Sequence, residues 1–242
     1  METVTNNQPA KAAGEHISGL ISGHAGDVLC LLSGGSALDV VEYIDTEREI
    51  DDPQTNKTQT AECRTIFMMG DERVSGDPMI NNSLQLLARY PWHRVTQCFV
   101  PTIPEPNESI EDFALRIETN FEKLFSELHD PLVIALLGIG PDGHTAGIFP
   151  LPAQSFAEVY RDDRTYVPVH VEGLRIDSRA SFTPSWLLAH IGAVVGYAAG
   201  EGKKMILESL TNETKPLPER PAEILKLHKN VRIYTDVLIE TL

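Results

Sequence analysis

The chain has 242 residues, 42% of them hydrophobic, which suits one α/β domain spanning residues 1–242. With 35 acidic against 20 basic side chains its formal net charge is −15, which excludes a general binder of nucleic-acid backbone but leaves room for a small anion where a few cations converge. Cys30, Cys63 and Cys98 are odd in number and lack C-x-x-C spacing, so a reducing compartment is expected rather than a disulfide framework or a zinc ribbon.

The polar start METVTNNQPAKAAGEH lacks the apolar core of a secretory signal, and no apolar run reaches membrane-spanning length. A cytoplasmic protein without a membrane partner is therefore expected. His16 to Gly23 reads as helix, and Asp27 to Leu32 as a short apolar strand that ends in Ser33, Gly34, Gly35 and Ser36. Ala37 to Ile44 then carries apolar groups at helical spacing, so the unit is strand, glycine-rich turn, helix. Such a turn presents backbone N–H groups and a helix N-terminus to an anion. Asp45 to Glu62 is polar and without periodicity, as expected of a surface loop. Arg64 to Met69 is a second buried strand, and it delivers Gly70, Asp71, Glu72 and Arg73 at its carboxyl end. Asn81, Asn82 and Ser83 open a helix whose interior runs from Leu84 to Tyr90, where Asn or Ser is a natural cap.

Gln97 to Val100 reads as a short strand before the proline-rich turn 101–106, and Ser109 to Leu128 as an amphipathic helix with apolar residues at three-and-four spacing. Leu132 to Leu137 is continuous and apolar, the pattern of a strand covered on both faces of a parallel sheet. It leads into GIGPDGHTAGIFP, which carries His144 on a glycine-punctuated loop. Ligands of open α/β sheets sit beyond the carboxyl ends of such strands. Leu151 to Asp163 reads as irregular and exposed, Thr165 to Val171 as an alternating strand, and Arg179 to Phe182 as a short strand. Thr183 and Pro184 start a helix through Trp186 to His190. Ile191 to Ala199 is a further strand closed by Gly200, and Glu201 to Leu210 a helix, so Lys203 falls in a first helical turn. A lysine there opposes the helix dipole unless an anion is present. Ala222 to Leu227 is a short helix, and Val231 to Tyr234 the last strand.

Within GIGPDG stands a literal G-x-G-x-x-G after a strand, but Pro150 and Pro152 cut off the long crossover helix that a dinucleotide fingerprint opens. No G-x-S-x-G, G-x-x-x-x-G-K-[ST] or H-E-x-x-H occurs, and the eight histidines show no ligand spacing. A metal site and a serine nucleophile are therefore not expected.

SGGS at 33–36, GDER at 70–73 followed by an N-N pair, LLGIGPDGHTAGIFP at 136–150, RASFT at 179–183 and GEGK at 200–203 stand in one order along nearly the whole chain. In that set and order the chain resembles the 6-phosphogluconolactonases, relatives of the glucosamine-6-phosphate deaminases. Ala37, Asn81 and Gly147 depart from the residues usual there. The resemblance implies a modified Rossmann-like α/β fold, a doubly wound, mainly parallel sheet with helices on both faces. It also implies hydrolysis of 6-phosphogluconolactone in the pentose phosphate pathway, with no cofactor. The expected partner is a phosphorylated sugar lactone, bound by a monomer or weak homodimer.

Lactone hydrolysis needs a base for water and a donor for the oxyanion, and a metal is unnecessary. His144 is the natural base, since imidazole ionises nearest neutral pH; Asp71 or Asp142 can orient it, and Arg73 can hold the oxyanion or sugar hydroxyls. The amides of Gly34 to Ser36, with Arg179 and Lys203, suit the phosphate. Asn82, Asp142 and Gly143 complete the expected binding set. Two alternatives are a deaminase/isomerase and a non-catalytic sugar-phosphate-binding regulator. The deaminases carry a glutamate five residues after the histidine, where this chain has Phe149.

Overall fold

The computed structural model describes residues 1–47, 49–52, 57–60, 64–170 and 177–240. Its strands, in chain order, are β1 (Glu2–Thr5), β2 (Val28–Leu32), β3 (Glu49–Asp52), β4 (Lys57–Thr60), β5 (Thr65–Met69), β6 (Asp71–Arg73), β7 (Phe99–Val100), β8 (Leu132–Gly138), β9 (Tyr166–His170), β10 (Ser178–Phe182), β11 (Ile191–Tyr197) and β12 (Val231–Thr235). Seven of them form one sheet in the order β1-β12-β11-β8-β2-β5-β7, and every neighbouring pair is parallel. β6, β10 and β9 form a separate antiparallel sheet.

Alternation along the central strands sorts their side chains into two layers, because successive Cβ atoms point to opposite faces. Leu29, Leu31, Met68, Val133, Ala135 and Leu137 pack with Phe113, Ile117 and Phe121 of the helix Ile110–Ser126 and with Tyr166, Ala180 and Phe182 of the antiparallel sheet. Val28, Cys30, Leu32, Phe67, Met69, Ile134 and Leu136 pack instead with Ala13, Ile17 and Ile21 of the helix Pro9–Ser22 and with Leu38, Val40 and Val41. Both faces of the sheet are thus covered, which is why its strands read as continuous apolar runs.

Several local expectations change. The N-terminal segment contributes β1, an edge strand registered from Glu2↔Arg232 to Thr5↔Thr235; its single valine gave no apolar run to read. The first helix starts at Pro9, a favoured residue at the first helical position. The segment expected as helix over Ala37 to Ile44 is a 3-10 helix, Gly35–Tyr43. Asp45 to Glu62 contains the hairpin β3–β4, while residues 48, 53–56 and 61–63, with Cys63, lie outside the described residues, as does Val171. The helical turn Arg94–Gln97 precedes β7, so the expected strand there is shortened to Phe99–Val100. Leu151 to Asp163 is not irregular: it holds the helix Ala153–Val159, whose Phe156 and the following Tyr160 are buried. Among the described residues, no helix is long and apolar enough to cross a membrane.

The packing of the antiparallel sheet on the helical layer rests on aromatic rings. Phe182 is fully buried and meets Trp186 at 4.6 Å, Phe121 at 4.7 Å and Tyr166 at 5.1 Å between ring centroids. Phe182→Ala should lower the free energy of unfolding by about 3–5 kcal/mol, the usual cost of deleting a buried aromatic ring. Urea titration checks this, and a loss below about 1 kcal/mol would show that the aromatic cluster does not hold the two layers together.

Candidate active site

From β2 the chain passes outward to β5 and β7, then returns to place β8 on the other side of β2 and continues to β11 and β12. β2 and β8 are therefore neighbours whose connections diverge, and the crevice beyond their carboxyl ends is where open α/β sheets hold ligands. A cavity of about 200 Å³ lies there, walled by Ser33 to Ala37 after β2 and by Gly138 to Pro141 with His144 after β8. Ser33 ties the two strand ends together: its hydroxyl donates to the Leu136 carbonyl at 2.8 Å and accepts from the Gly138 N–H at 3.2 Å.

The 3-10 helix that follows β2 begins at Gly35, in the left-handed region with φ +65°, and no side chain caps it. Its first amides are thus the unsatisfied donors of a helix start, and Gly35, Ser36 and Ala37 line the cavity. Gly34 must lack a side chain, because a Cβ there would overlap the amide of Asn82. The two asparagines divide their work. Asn81 caps the helix Asn82–Arg89, its Oδ1 accepting from the Leu84 N–H at 2.8 Å. Asn82 lines the cavity, donating from Nδ2 to the Asp71 carbonyl at 3.1 Å and leaving Oδ1 buried and unpartnered.

The D-E-R segment is strand β6, and its period of two decides the role of each residue. Asp71 and Arg73 line the cavity while Glu72 points away from it. Glu72 is fully buried and accepts from the N–H groups of Arg73, Asn82 and Ser83 and from the hydroxyls of Ser83 and Thr102, at 2.5–3.0 Å. Burial pushes its carboxyl up to about 7 against the pull of those donors. It anchors the start of the helix Asn82–Arg89 and does not enter the cavity.

Arg179 of β10 is the direct cross-strand partner of Arg73. Like charges so placed repel, and Arg179 has its pKa lowered, first by burial. Asp71, only 5% exposed, offers one counter-charge, 3.7 Å from the Arg179 guanidinium. Burial raises the Asp71 pKa while Arg179, Arg73 and His144 oppose the rise. The Nε atoms of both arginines are buried without a partner among the described residues. Lys203, in the 3-10 turn Glu201–Lys203, reaches the same cavity, its Nζ donating to the Ile139 carbonyl at 2.5 Å. Its pKa is lowered by burial. Three cations thus converge in a protein of net charge −15, two of them with unused donors: the arrangement of an anion site.

His144 faces the cavity from the loop after β8. Its Nδ1 lies 2.5 Å from Asp142 Oδ1, which also accepts from the His144 N–H at 3.2 Å. Asp142, not Asp71, is therefore the carboxylate that orients the ring, and its pKa lies below the ordinary value: burial raises it, but the bonds from His144 outweigh that. Gly140 is required beneath this pair, since a Cβ would overlap the imidazole and stand 2.5 Å from Asp142 Oδ1. The contact of Nδ1 with the carboxylate leaves Nε2 as the ring nitrogen that has no bond to Asp142.

Nine of the expected residues, Gly34, Gly35, Ser36, Asp71, Arg73, Asn82, His144, Arg179 and Lys203, line one cavity. Asp142 and Gly143 do not. Asp142 stands behind His144, and Gly143, at φ +86°, shapes the loop, its carbonyl accepting from the Ala222 N–H at 2.9 Å. Tyr197 and Ala146 line the cavity without having been singled out in the sequence. Tyr197 ends a strand and could have been found by that position alone.

A family model described as glucosamine-6-phosphate isomerases/6-phosphogluconolactonase matches residues 5–234. A 6-phosphogluconolactonase of Borreliella burgdorferi is 28% identical over 129 residues, 53% of this chain and 49% of that protein; the match spans about half the length of that relative. Among solved structures, 6-phosphogluconolactonase from Trypanosoma brucei superposes with a TM-score of 0.69 at 20% identity, covering 97% of this chain and 95% of that one. The Thermotoga maritima 6-phosphogluconolactonase gives 0.68 at 19% identity over 96% of each chain. These two likenesses are likenesses of fold.

Inorganic phosphate should raise the melting temperature of the wild-type protein, because it satisfies donors that are otherwise unpaired. Lys203→Ala should weaken phosphate binding by about 1.5–3 kcal/mol, the worth of hydrogen bonds to charged groups. Calorimetric titration of both proteins checks it, and an unchanged affinity would remove Lys203 from the anion site.

Proposed function

The chain belongs to the family of glucosamine-6-phosphate isomerases and 6-phosphogluconolactonases, and from that premise we propose that it hydrolyses 6-phospho-D-glucono-1,5-lactone to 6-phosphogluconate. The observation that carries this reading is the placing of the His144–Asp142 pair in the cavity that also gathers Arg73, Arg179, Lys203 and the amides after β2. Those amides, with Arg179 and Lys203, hold the phosphate, which sets the far end of the sugar. Nε2 of His144 takes a proton from water as the water oxygen bonds to the lactone carbonyl carbon. The carbonyl electrons move onto its oxygen, and Arg73 stabilises the resulting oxyanion. When the intermediate collapses, the bond from that carbon to the ring oxygen breaks, and the imidazolium returns its proton to the departing oxygen. Asp142 holds Nδ1–H throughout and stabilises the transient cation. The reaction belongs to the pentose phosphate pathway and fits a cytoplasmic protein.

Phe149 favours this chemistry over deamination. Isomerising and deaminating an amino sugar requires a group that shuttles a proton between carbons, and the deaminases supply a glutamate at this position. Here a phenyl ring stacks on the imidazole at 4.7 Å between centroids, and it transfers no proton at any pH. The complete constellation also speaks against a regulator that only binds: phosphate capture has no need of an oriented histidine.

His144→Asn should lower kcat on freshly generated lactone by about 10²- to 10⁴-fold, with spontaneous hydrolysis subtracted and a smaller effect on binding. Wild-type kcat in that variant would remove His144 from the mechanism. Glucosamine 6-phosphate should release no ammonia above background; ammonia formation dependent on His144 and Asp71 would overturn the lactonase assignment.

A further inference from the structure

Phe149 and Tyr160 are 3% and 2% exposed, and the reaction as written uses neither. Tyr160 directly follows the helix Ala153–Val159, and its hydroxyl reaches back to the loop of the histidine. It accepts from the Phe149 N–H at 2.8 Å and donates to the Gly147 carbonyl at 2.9 Å. One hydroxyl therefore clips both ends of the tripeptide 147–149. Ser181 adds a third tie, its Oγ accepting from the Gly147 N–H at 3.1 Å, and the Ile148 N–H donates to the Thr145 carbonyl at 3.0 Å. Burial pushes the Tyr160 phenol well above its ordinary value, so the hydroxyl keeps its proton and remains a donor.

What this clip holds in place is the Phe149 ring. The ring stacks against His144, 4.7 Å between centroids with the planes 27° apart, and the Arg179 guanidinium carbon lies 5.0 Å from its centroid. Phe149 is thus the contact common to the catalytic base and to the cation that pairs with Asp71. The bond from Nδ1 to Asp142 fixes one atom of the imidazole, and a single hydrogen bond leaves the ring free to swing about it. A flat, immobile surface against the ring removes that freedom. The charged and titratable groups around this stack are Asp142 on the same loop, Asp71 and Arg73 from β6, Arg179 from β10, Lys203 from the turn after β11, and Tyr160 itself.

We propose that Phe149 and Tyr160 form a positioning unit for the base: the Phe149 ring sets the plane of the His144 imidazole and spaces it from Arg179, and the Tyr160 hydroxyl locks Phe149 in place. The inference rests on the lactonase reading and deepens it. Small displacements of a base relative to its target are costly in rate, on the order of 100-fold for about 1 Å. Substrate affinity resides in charged hydrogen bonds to the phosphate, and neither the Phe149 ring nor the Tyr160 hydroxyl supplies one of them.

The test compares Phe149→Leu and Tyr160→Phe with wild type, measuring kcat and KM on 6-phosphogluconolactone and the affinity for 6-phosphogluconate by calorimetry. Rates are normalised to the stoichiometry of product binding, so that unfolded protein does not count. Phe149→Leu should lower kcat by about 10- to 100-fold and Tyr160→Phe by about 3- to 10-fold, with product affinity within about twofold of wild type in both. A kcat within twofold of wild type in folded Phe149→Leu, or a product affinity that falls in proportion to kcat, overturns the proposal. If Phe149→Leu does not fold, Tyr160→Phe, which loses only one oxygen, decides by the same split. A wild-type protein inactive on the lactone rejects the reaction itself, whereas an active wild type with unaffected variants rejects only the positioning unit.

Discussion

Two parallel strands that lie side by side and send their chains in opposite directions leave a gap that no loop crosses, and everything functional in this molecule is arranged around that gap between β2 and β8. Parallel strands of this kind end with backbone groups that the sheet no longer pairs. From the end of β2, the Ser33 hydroxyl satisfies two groups of β8, the Leu136 carbonyl and the Gly138 N–H, and so fixes the width of the gap. The glycine-rich turn after β2 and the glycine-punctuated loop after β8 then face each other at a set separation, one presenting amides and the other a histidine.

Charge is handled by the second, antiparallel sheet. Its strands β6 and β10 bring Asp71, Arg73 and Arg179 to the gap from the side, and the register that places the two arginines opposite each other works against folding in the absence of an anion. Glu72 offsets part of that strain by anchoring β6 to the start of the helix Asn82–Arg89 through five donors. A site suited to anions in an acidic protein is thus built by forcing cations together on a rigid ribbon, with rigidity supplied from the face turned away from the cavity.

The sequence made the main sheet legible because its strands are buried on both faces and are therefore apolar throughout; β2, β5, β8, β11 and β12 could be read one by one. It made the site legible because glycine, charge and histidine fall at strand ends. What it did not disclose depends on partners distant in the chain. β1 is polar and is a strand only because β12 lies beside it. The alternation within Asp71-Glu72-Arg73 is invisible until β10 pairs with it, so Glu72 had no assignable role. Tyr160 sat in a stretch read as exposed, although Phe156 and Tyr160 stand four apart, the spacing of one helix face. Ser181 gave no signal at all: its hydroxyl accepts from the Gly147 N–H because Gly147 packs directly against it, a Cβ at Gly147 falling 2.6 Å from the Ser181 Cβ.

The pairing of β1 with β12 has a consequence for the order in which the molecule is made. Glu2–Thr5 leaves the ribosome well ahead of Val231–Thr235, its one sheet neighbour among the described residues. Until β12 is made, β1 lacks that partner while β2, β5 and β8 can already associate, and a contact this distant in sequence closes slowly. The gap between β2 and β8 accordingly forms before the β1–β12 edge of the sheet, so a ligand able to bridge the glycine-rich turn and the histidine loop meets its two walls before β12 has been translated.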